Sequence, residues 1–448
     1  MIKSISFGKW IKNTIFRNTV FSLLEMSTSA ILMLITTPYL LLHMGPSHYG
    51  LWSLCLAFLG LAGAVDIGLG AATIKFVAEY KEKQDTKNLS EVITISIGLA
   101  IILGLFFSLV IYFLLPSLVK MFFYNETSPE QILAVLQISI LGLFPLMLEN
   151  VGVSIPRGFQ DYQLTTVLIT VKNAVITIYA VWVVYQQKSV PEIMIGTIAF
   201  MYISSITSIG IAFYKARKFN FSPKFSVLTL KKVASFMAFM GITGIGIKIF
   251  TFFDRIVVSQ VLGLTGAAYY TIATGIANKI AAFASAATQA LFPAFSSWGA
   301  SQNKILIWKK LKSTTLLIGV LTLIPGTVFL FLSRDLVFWW LGEQNGAEVL
   351  YAIQILIFIY MIKTLTAPSY QAANGLGHPW VTTLAVAIAS IGTIILIFYL
   401  GPRYGLAGVS WANIASWSLF IISISLYFIL KNEKTGRKKP DTAESQSS

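Results

Sequence analysis

The chain is 448 residues long, 56% hydrophobic, 13% aromatic and only 11% charged, with a mean hydropathy of +0.75. A soluble domain carries about 25% charged residues, so this composition excludes a water-soluble globular protein and points to a chain whose solvent is lipid. The net charge of +15 then reads as topology signal and not as a nucleic-acid footprint, because membrane proteins keep their excess of Lys and Arg on the cytoplasmic side.

A spanning helix needs about 20 mostly apolar residues. Taken in chain order, the apolar runs predict twelve helices at 18–43, 49–78, 90–118, 131–156, 162–186, 191–214, 233–260, 266–298, 311–333, 347–373, 379–400 and 405–430. The first run, Asn18 to His43, is longer than a signal-peptide core and lacks a small-residue cleavage site, so it is expected to stay in the mature protein.

Orientation follows from the breaks between the runs. One set of breaks collects Lys3, Lys9, Lys12, Arg17, Lys81, Lys83, Lys87, Arg157, the cluster from Lys215 to Lys232, Lys304 to Lys312 and the tail, while the other holds only Lys120, Lys188, Arg334 and Arg403. Positive loops resist translocation, so both termini are expected in the cytoplasm.

The longest hydrophilic break separates two sets of six helices. The expected organisation is an N-terminal lobe over 1–214, a basic cytoplasmic linker over 215–232, a C-terminal lobe over 233–430 and a disordered cytoplasmic tail over 431–448. The class is therefore an all-α polytopic membrane protein with two six-helix lobes around a central cavity. Gly45 and Tyr49 in the first half find an echo in Gly266 and Tyr270 in the second.

The single cysteine, Cys55, excludes an intrachain disulfide and a Cys-based zinc cluster. Three histidines without an H-E-x-x-H motif argue against a zinc enzyme, and no break between helices is long enough for a catalytic domain. An Asn125-Glu126-Thr127 sequon is present, but so short a motif arises by chance.

Charges at mid-helix depth are expensive in a bilayer and mark function or pairing. The basic ones are Lys172, Lys248, Arg255, Lys279 and Lys363; the acidic ones are Glu25, Asp66, Glu149 and Asp254. The second half is thus the basic one. Lys248 and Arg255 lie two helical turns apart and are expected to share a face. A basic wall in a low-dielectric cavity would bind a phosphate or pyrophosphate. The other reading is that these residues form interhelical salt bridges with the acids or reach to an interface. Glu25 heads a polar stripe with Ser29 and Thr36, and together with Asp66 and Asp254 it is a candidate for a coupling proton or sodium ion, or for gating ion pairs. Glu149 and Asn150, two turns before Arg157, are expected at an interface. Pro38, Pro145, Pro293 and Pro368 fall inside predicted helices as kinks or hinges, and Asp66-Ile67-Gly68-Leu69-Gly70 as a place where the second helix unwinds.

The motifs Gly45-x-x-x-Tyr49-Gly50-Leu51-Trp52, Asp66-Ile67-Gly68-Leu69-Gly70 and Phe76-Val77-Ala78-Glu79-Tyr80 resemble the first two helices of the polysaccharide transporter family, which includes the Wzx-type O-antigen flippases. Phe253-Asp254-Arg255, Val261-Leu262-Gly263, Tyr269 and Leu291-Phe292-Pro293 look like its second-half counterpart. The resemblance implies a flippase, not an enzyme, of the multidrug/oligosaccharidyl-lipid/polysaccharide exporter superfamily in a bacterial inner membrane. Its substrate would be an undecaprenyl-pyrophosphate-linked oligosaccharide, its surroundings membrane lipid, and its partners a polysaccharide polymerase and a chain-length regulator, with no nucleic acid and no cofactor beyond a coupling cation. The rivals are a multidrug exporter, disfavoured by the basic second half, and a lipid II-type flippase, whose family has more helices.

Overall fold

The computed structural model describes residues 14–63, 66–123, 128–248, 252–289, 295, 304–376 and 378–432. The elements are α1 (Thr14–Ala62), α2 (Asp66–Glu82), α3 (Thr86–Phe122), α4 (Pro129–Ile140), α5 (Leu143–Gly158), α6 (Tyr162–Tyr185), α7 (Val190–Arg217), α8 (Val227–Lys248), α9 (Asp254–Gln289), α10 (Lys304–Thr364), α11 (Ala367–Gly375) and α12 (Pro379–Ala412), then a 3-10 turn (Asn413–Leu419) and α13 (Phe420–Asn432). No strand occurs among the described residues.

Eight apolar helical stretches are long enough to cross a bilayer, the longest being Ile307–Gly375 with 69 residues. At 1.5 Å per residue a straight helix of that length would be roughly 100 Å long, against a hydrocarbon core of about 30 Å. Such stretches therefore double back. α1 does so at Gly45 (φ 77°, ψ 160°), α9 at Gly263 (φ 72°, ψ −179°), α10 at Gly342 and α12 at Gly405, all with positive φ. A left-handed residue lets the chain leave one helix and enter the next in a single step, and only glycine does so without a Cβ penalty. With these four turns counted, the described helices follow the order of the twelve expected spans, those at 49–78, 233–260 and 266–298 being described in part. The counterpart of Gly45 in the second half is Gly263, not Gly266, because these two share the turn geometry.

Elsewhere the helix ends carry ordinary chemistry. Asp85 caps α3 by accepting from the Asn88 backbone N–H at 3.0 Å, and Ser189 with Glu192 forms a capping box before α7. Pro145 and Pro368 do not kink helix interiors: they lie in the first turns of α5 and α11, where a backbone N–H has no intrahelical acceptor anyway. Of the three described, Pro38 alone sits mid-helix; Pro293 is outside the described residues, as are the sequon, most of the tail and Leu291-Phe292-Pro293. The unwinding expected at Asp66-Ile67-Gly68-Leu69-Gly70 is corrected: this run is helical and opens α2, since glycines keep helical backbone angles where packing holds them, while residues 64–65 before it lie outside the described ones.

The two halves meet in shared cores. One joins Leu40, Tyr49 and Ala180 of the first half to Val257, Tyr270 and Ile353 of the second. Another joins Leu51, Cys55, Phe58 and Phe123 to Ile256 and Leu264. Both lie beside the Gly45 and Gly263 turns, so that end of the molecule is sealed. At Gly50 the fit is closest: a Cβ there would overlap the carbonyl oxygen of Leu264. Towards the opposite end, Phe76 stacks edge-on to Phe236, with ring centroids 5.7 Å apart, and Lys232 Nζ donates to the Tyr80 hydroxyl at 2.8 Å.

Candidate functional site

Between the halves lies a cavity of about 520 Å³, within the size range of small-ligand sites. Its wall from α1 is set by helical spacing: Ser29, Leu32, Met33, Thr36 and Thr37 before the Gly45 turn, then Tyr49, Trp52, Ser53 and Leu56 after it. Lys172, Asn173 and Thr177 come from α6 and Thr197 from α7. The second half supplies Phe252, Arg255, Thr271 and Gly275.

The cavity is thus lined by one cation from each half. Lys172 Nζ stands 2.9 Å from Glu149 Oε2, and Ser204 Oγ donates to Glu149 Oε1 at 2.9 Å. Glu149 itself is 4% exposed. The interfacial position expected for it is therefore corrected: α5 turns it inward, and its partner is the cation of the neighbouring span. A buried carboxylate is stable in lipid only with such a partner.

Arg255 has no comparable fixed partner at its Nε, which is buried and without a protein hydrogen-bond partner. Its guanidinium lies 5.7 Å from the Phe252 ring centroid. Trp52 Nε1 and Thr197 Oγ1, both on cavity-lining residues, are buried and unpartnered in the same sense. Two of these three atoms are N–H donors and the third is a hydroxyl. Buried polar atoms without partners are uncommon and costly, and these three, from α1, α7 and α9, lie on residues that line the same cavity. Around them, Tyr49 and Trp52 pack edge-on with centroids 5.6 Å apart, Thr37 and Tyr49 hydroxyls are 3.5 Å apart, and Ser53 faces Thr271 across the seam at 3.4 Å.

The other candidate residues lie elsewhere. Lys363 in α10 places Nζ 4.4 Å from the Tyr360 ring centroid, and Lys279 is half-buried in α9; neither lines the cavity. Asp254 is buried, accepting from the Tyr270 hydroxyl and from the Arg255 backbone N–H, both at 2.8 Å; Asn413 Nδ2 donates in turn to the Tyr270 oxygen at 2.9 Å. This chain of bonds ties α9 to the 3-10 turn after α12. Lys248 is the last residue of α8 and Arg255 the second of α9, with a wider, π-type turn at 252–253 before Arg255 and residues 249–251 outside the described ones, so the shared face expected for the two lies partly outside the described residues. The side chains of Lys248, Glu25 and Asp66 also lie outside the described residues.

Sequence reasoning passed over Trp52, Asn173 and Thr197 as cavity-lining residues. The available signal was weak: Tyr49, Trp52 and Ser53 recur at helical spacing, but aromatic residues at that spacing are more often core.

The sequence model of the family described as "Polysaccharide biosynthesis protein" matches residues 15–298, well over half of the chain. The chain belongs to the polysaccharide biosynthesis protein family. Similar members include a protein of Shigella flexneri named as an O-antigen transporter, 20% identical over 411 residues with 91% of this chain and 95% of that one covered. One of the same name from Salmonella typhi is 21% identical, with 90% and 93% covered. Among solved structures, the fold is similar to that of an inward-facing multidrug resistance MATE family transporter of the MOP superfamily (TM-score 0.76, 16% identity, 92% of this chain and 95% of that chain). It is likewise similar to the lipid II flippase MurJ in an inward closed conformation (TM-score 0.72, 16% identity, 94% of each chain). The family member described here therefore shares the fold of these transporters, and it is an integral membrane protein.

Proposed function

We propose that this protein is a flippase that moves a polyprenyl-pyrophosphate-linked oligosaccharide across the bacterial cytoplasmic membrane, with both termini on the cytoplasmic side. The observation that carries the reading is the cavity lining itself: Lys172 from one half and Arg255 from the other, with Trp52, Thr177 and Thr271 beside them. Cationic N–H groups bind phosphate oxygens by charge-assisted bonds stronger than neutral ones, and the threonines, serines and aromatic faces around them suit sugars. The names borne by the relatives from Shigella and Salmonella support the same substrate class.

In this reading the lobes rock about the cavity so that it faces each leaflet in turn. The pyrophosphate engages Arg255 and Lys172, while Lys248, Lys279 and Lys363 extend the basic surface of the second half. The hydrocarbon tail stays in the bilayer. Glu25, Asp66 and Asp254 remain candidates for cation coupling, with H+ or Na+ as the ion. A polymerase and a chain-length regulator would act on the product.

Deletion of the gene in its host, followed by mass spectrometry of surface polysaccharide and of lipid-linked oligosaccharide, tests this. Loss of polymer with a complete repeat unit accumulating on its lipid is the expected result. Unchanged glycans with altered sensitivity to cationic dyes would instead move the assignment to drug export, and depletion of cell-wall precursor transport to a lipid II-type flippase.

A further inference from the structure

We infer that Glu149 is a proton-binding site switched by the anionic ligand through Lys172, a deepening that rests on the phosphate reading of the cavity. Of this ion pair only the ammonium faces the cavity; the carboxylate sits behind it in α5, 4% exposed. An entering anion therefore meets Lys172 first. When a phosphate oxygen takes the ammonium's hydrogen bond at the cavity surface, Glu149 keeps one donor, the Ser204 hydroxyl at 2.9 Å. A buried carboxylate stripped of its counter-charge is relieved by taking a proton.

The step balances simply. An O–H bond forms at Glu149 Oε2 with a proton taken up from a hydronium ion of the bulk solution, which leaves as water; the side chain becomes a neutral acid, and Lys172 stays cationic against the phosphate. When the anion leaves, Lys172 returns to Glu149 and the proton is released. Ligand and proton thus bind together, each raising the other's affinity, where a competing cation would lower it.

The surroundings isolate this pair. Lys172 is the sole charged residue of α6; α7 has no charged residue between Glu192 and Lys215, and α3 none between Glu91 and Lys120. Tyr202 on α7 bonds to the Leu141 carbonyl. On α2, Gly70 packs against Asn150, one turn beyond Asp66, whose side chain lies outside the described residues. Arg255 lines the same cavity from the other half. A proton is favoured over a sodium ion because a hard cation takes several oxygen ligands, whereas Glu149 has the Ser204 hydroxyl beside it and no cluster of three or more acidic or histidine side chains is found among the described residues.

The test uses the full chain purified in detergent. Infrared difference spectra at neutral pH between Lys172→Gln and the parent protein should show a protonated-carboxyl band that disappears in the Lys172→Gln/Glu149→Gln double variant. Absence of that band overturns the inference whatever the substrate. In weakly buffered solution, geranylgeranyl pyrophosphate as probe should drive uptake of about one proton per molecule bound to the parent, and none per molecule bound to Glu149→Gln at the probe concentration that saturates each. Equal uptake by Glu149→Gln, or uptake suppressed by sodium, overturns it too. The infrared band without any probe binding supports the proton site and overturns the phosphate reading.

Discussion

The indole Nε1–H of Trp340 donates to the backbone carbonyl of Leu34 at 2.6 Å, across the seam between the two halves. In a regular helix that carbonyl accepts from the N–H four residues on. Here the residue is Pro38, which has none. A proline in α1 thus creates an acceptor, and a tryptophan of α10 fills it.

Trp340→Phe should leave Leu34 unsatisfied and cost about 1 kcal/mol, the scale of hydrogen bonds within membranes. Pro38→Ala restores the missing N–H, so Trp340→Phe should be nearly neutral in that background. Thermal unfolding in detergent of the two single variants and the double variant measures the coupling; additive effects would contradict the relationship.

Arg255→Gln keeps much of the side chain's bulk and removes its charge. A hydrogen bond to a charged group is worth about 1.5–3 kcal/mol, so export of polysaccharide should fall roughly 10- to 150-fold at unchanged protein level. Arg255→Lys should recover part of it, since an ammonium keeps the charge but not the planar fork. Quantified surface polysaccharide against immunoblotted protein is the measurement.

Gly50→Val places carbon where the Leu264 carbonyl oxygen stands. The sealed end must then part. Cys55, the one cysteine of the chain and fully buried in that shared core, is a native reporter: its reaction with a membrane-permeant maleimide should rise from negligible to rapid. A cysteine that stays unreactive would show that the end reseals around the valine.

Asp85 lies outside the membrane, and hydrogen bonds from the Asn88 backbone N–H and then its side chain hold its carboxyl below the usual range. Its stabilisation is therefore complete above the unfolded value of about 3.9 and is lost as pH falls through the lower folded value. Asp85→Ala should cost about 1 kcal/mol at neutral pH, and the difference in melting temperature from the parent should shrink in acid.

The spans were legible because lipid leaves a chain little choice: each crossing must be apolar and must satisfy its own backbone, so hydropathy and the placement of lysines declare it. Gly45 was visible too, as the break between two runs. Its true counterpart, Gly263, was not, since a sequence shows glycines but not which of them takes a left-handed turn. The candidate site divides in the same way. That Lys172 and Arg255 were charges in need of a reason followed from composition and depth alone. That these two line one cavity, that Glu149 turns inward to hold Lys172, and that Asp254 is bound into a chain with Tyr270 and Asn413 were decided by helix rotation and by contacts between residues far apart in sequence. A charge in a low-dielectric interior takes whichever partner packing brings within about 3 Å, and only the tertiary structure fixes which partner that is.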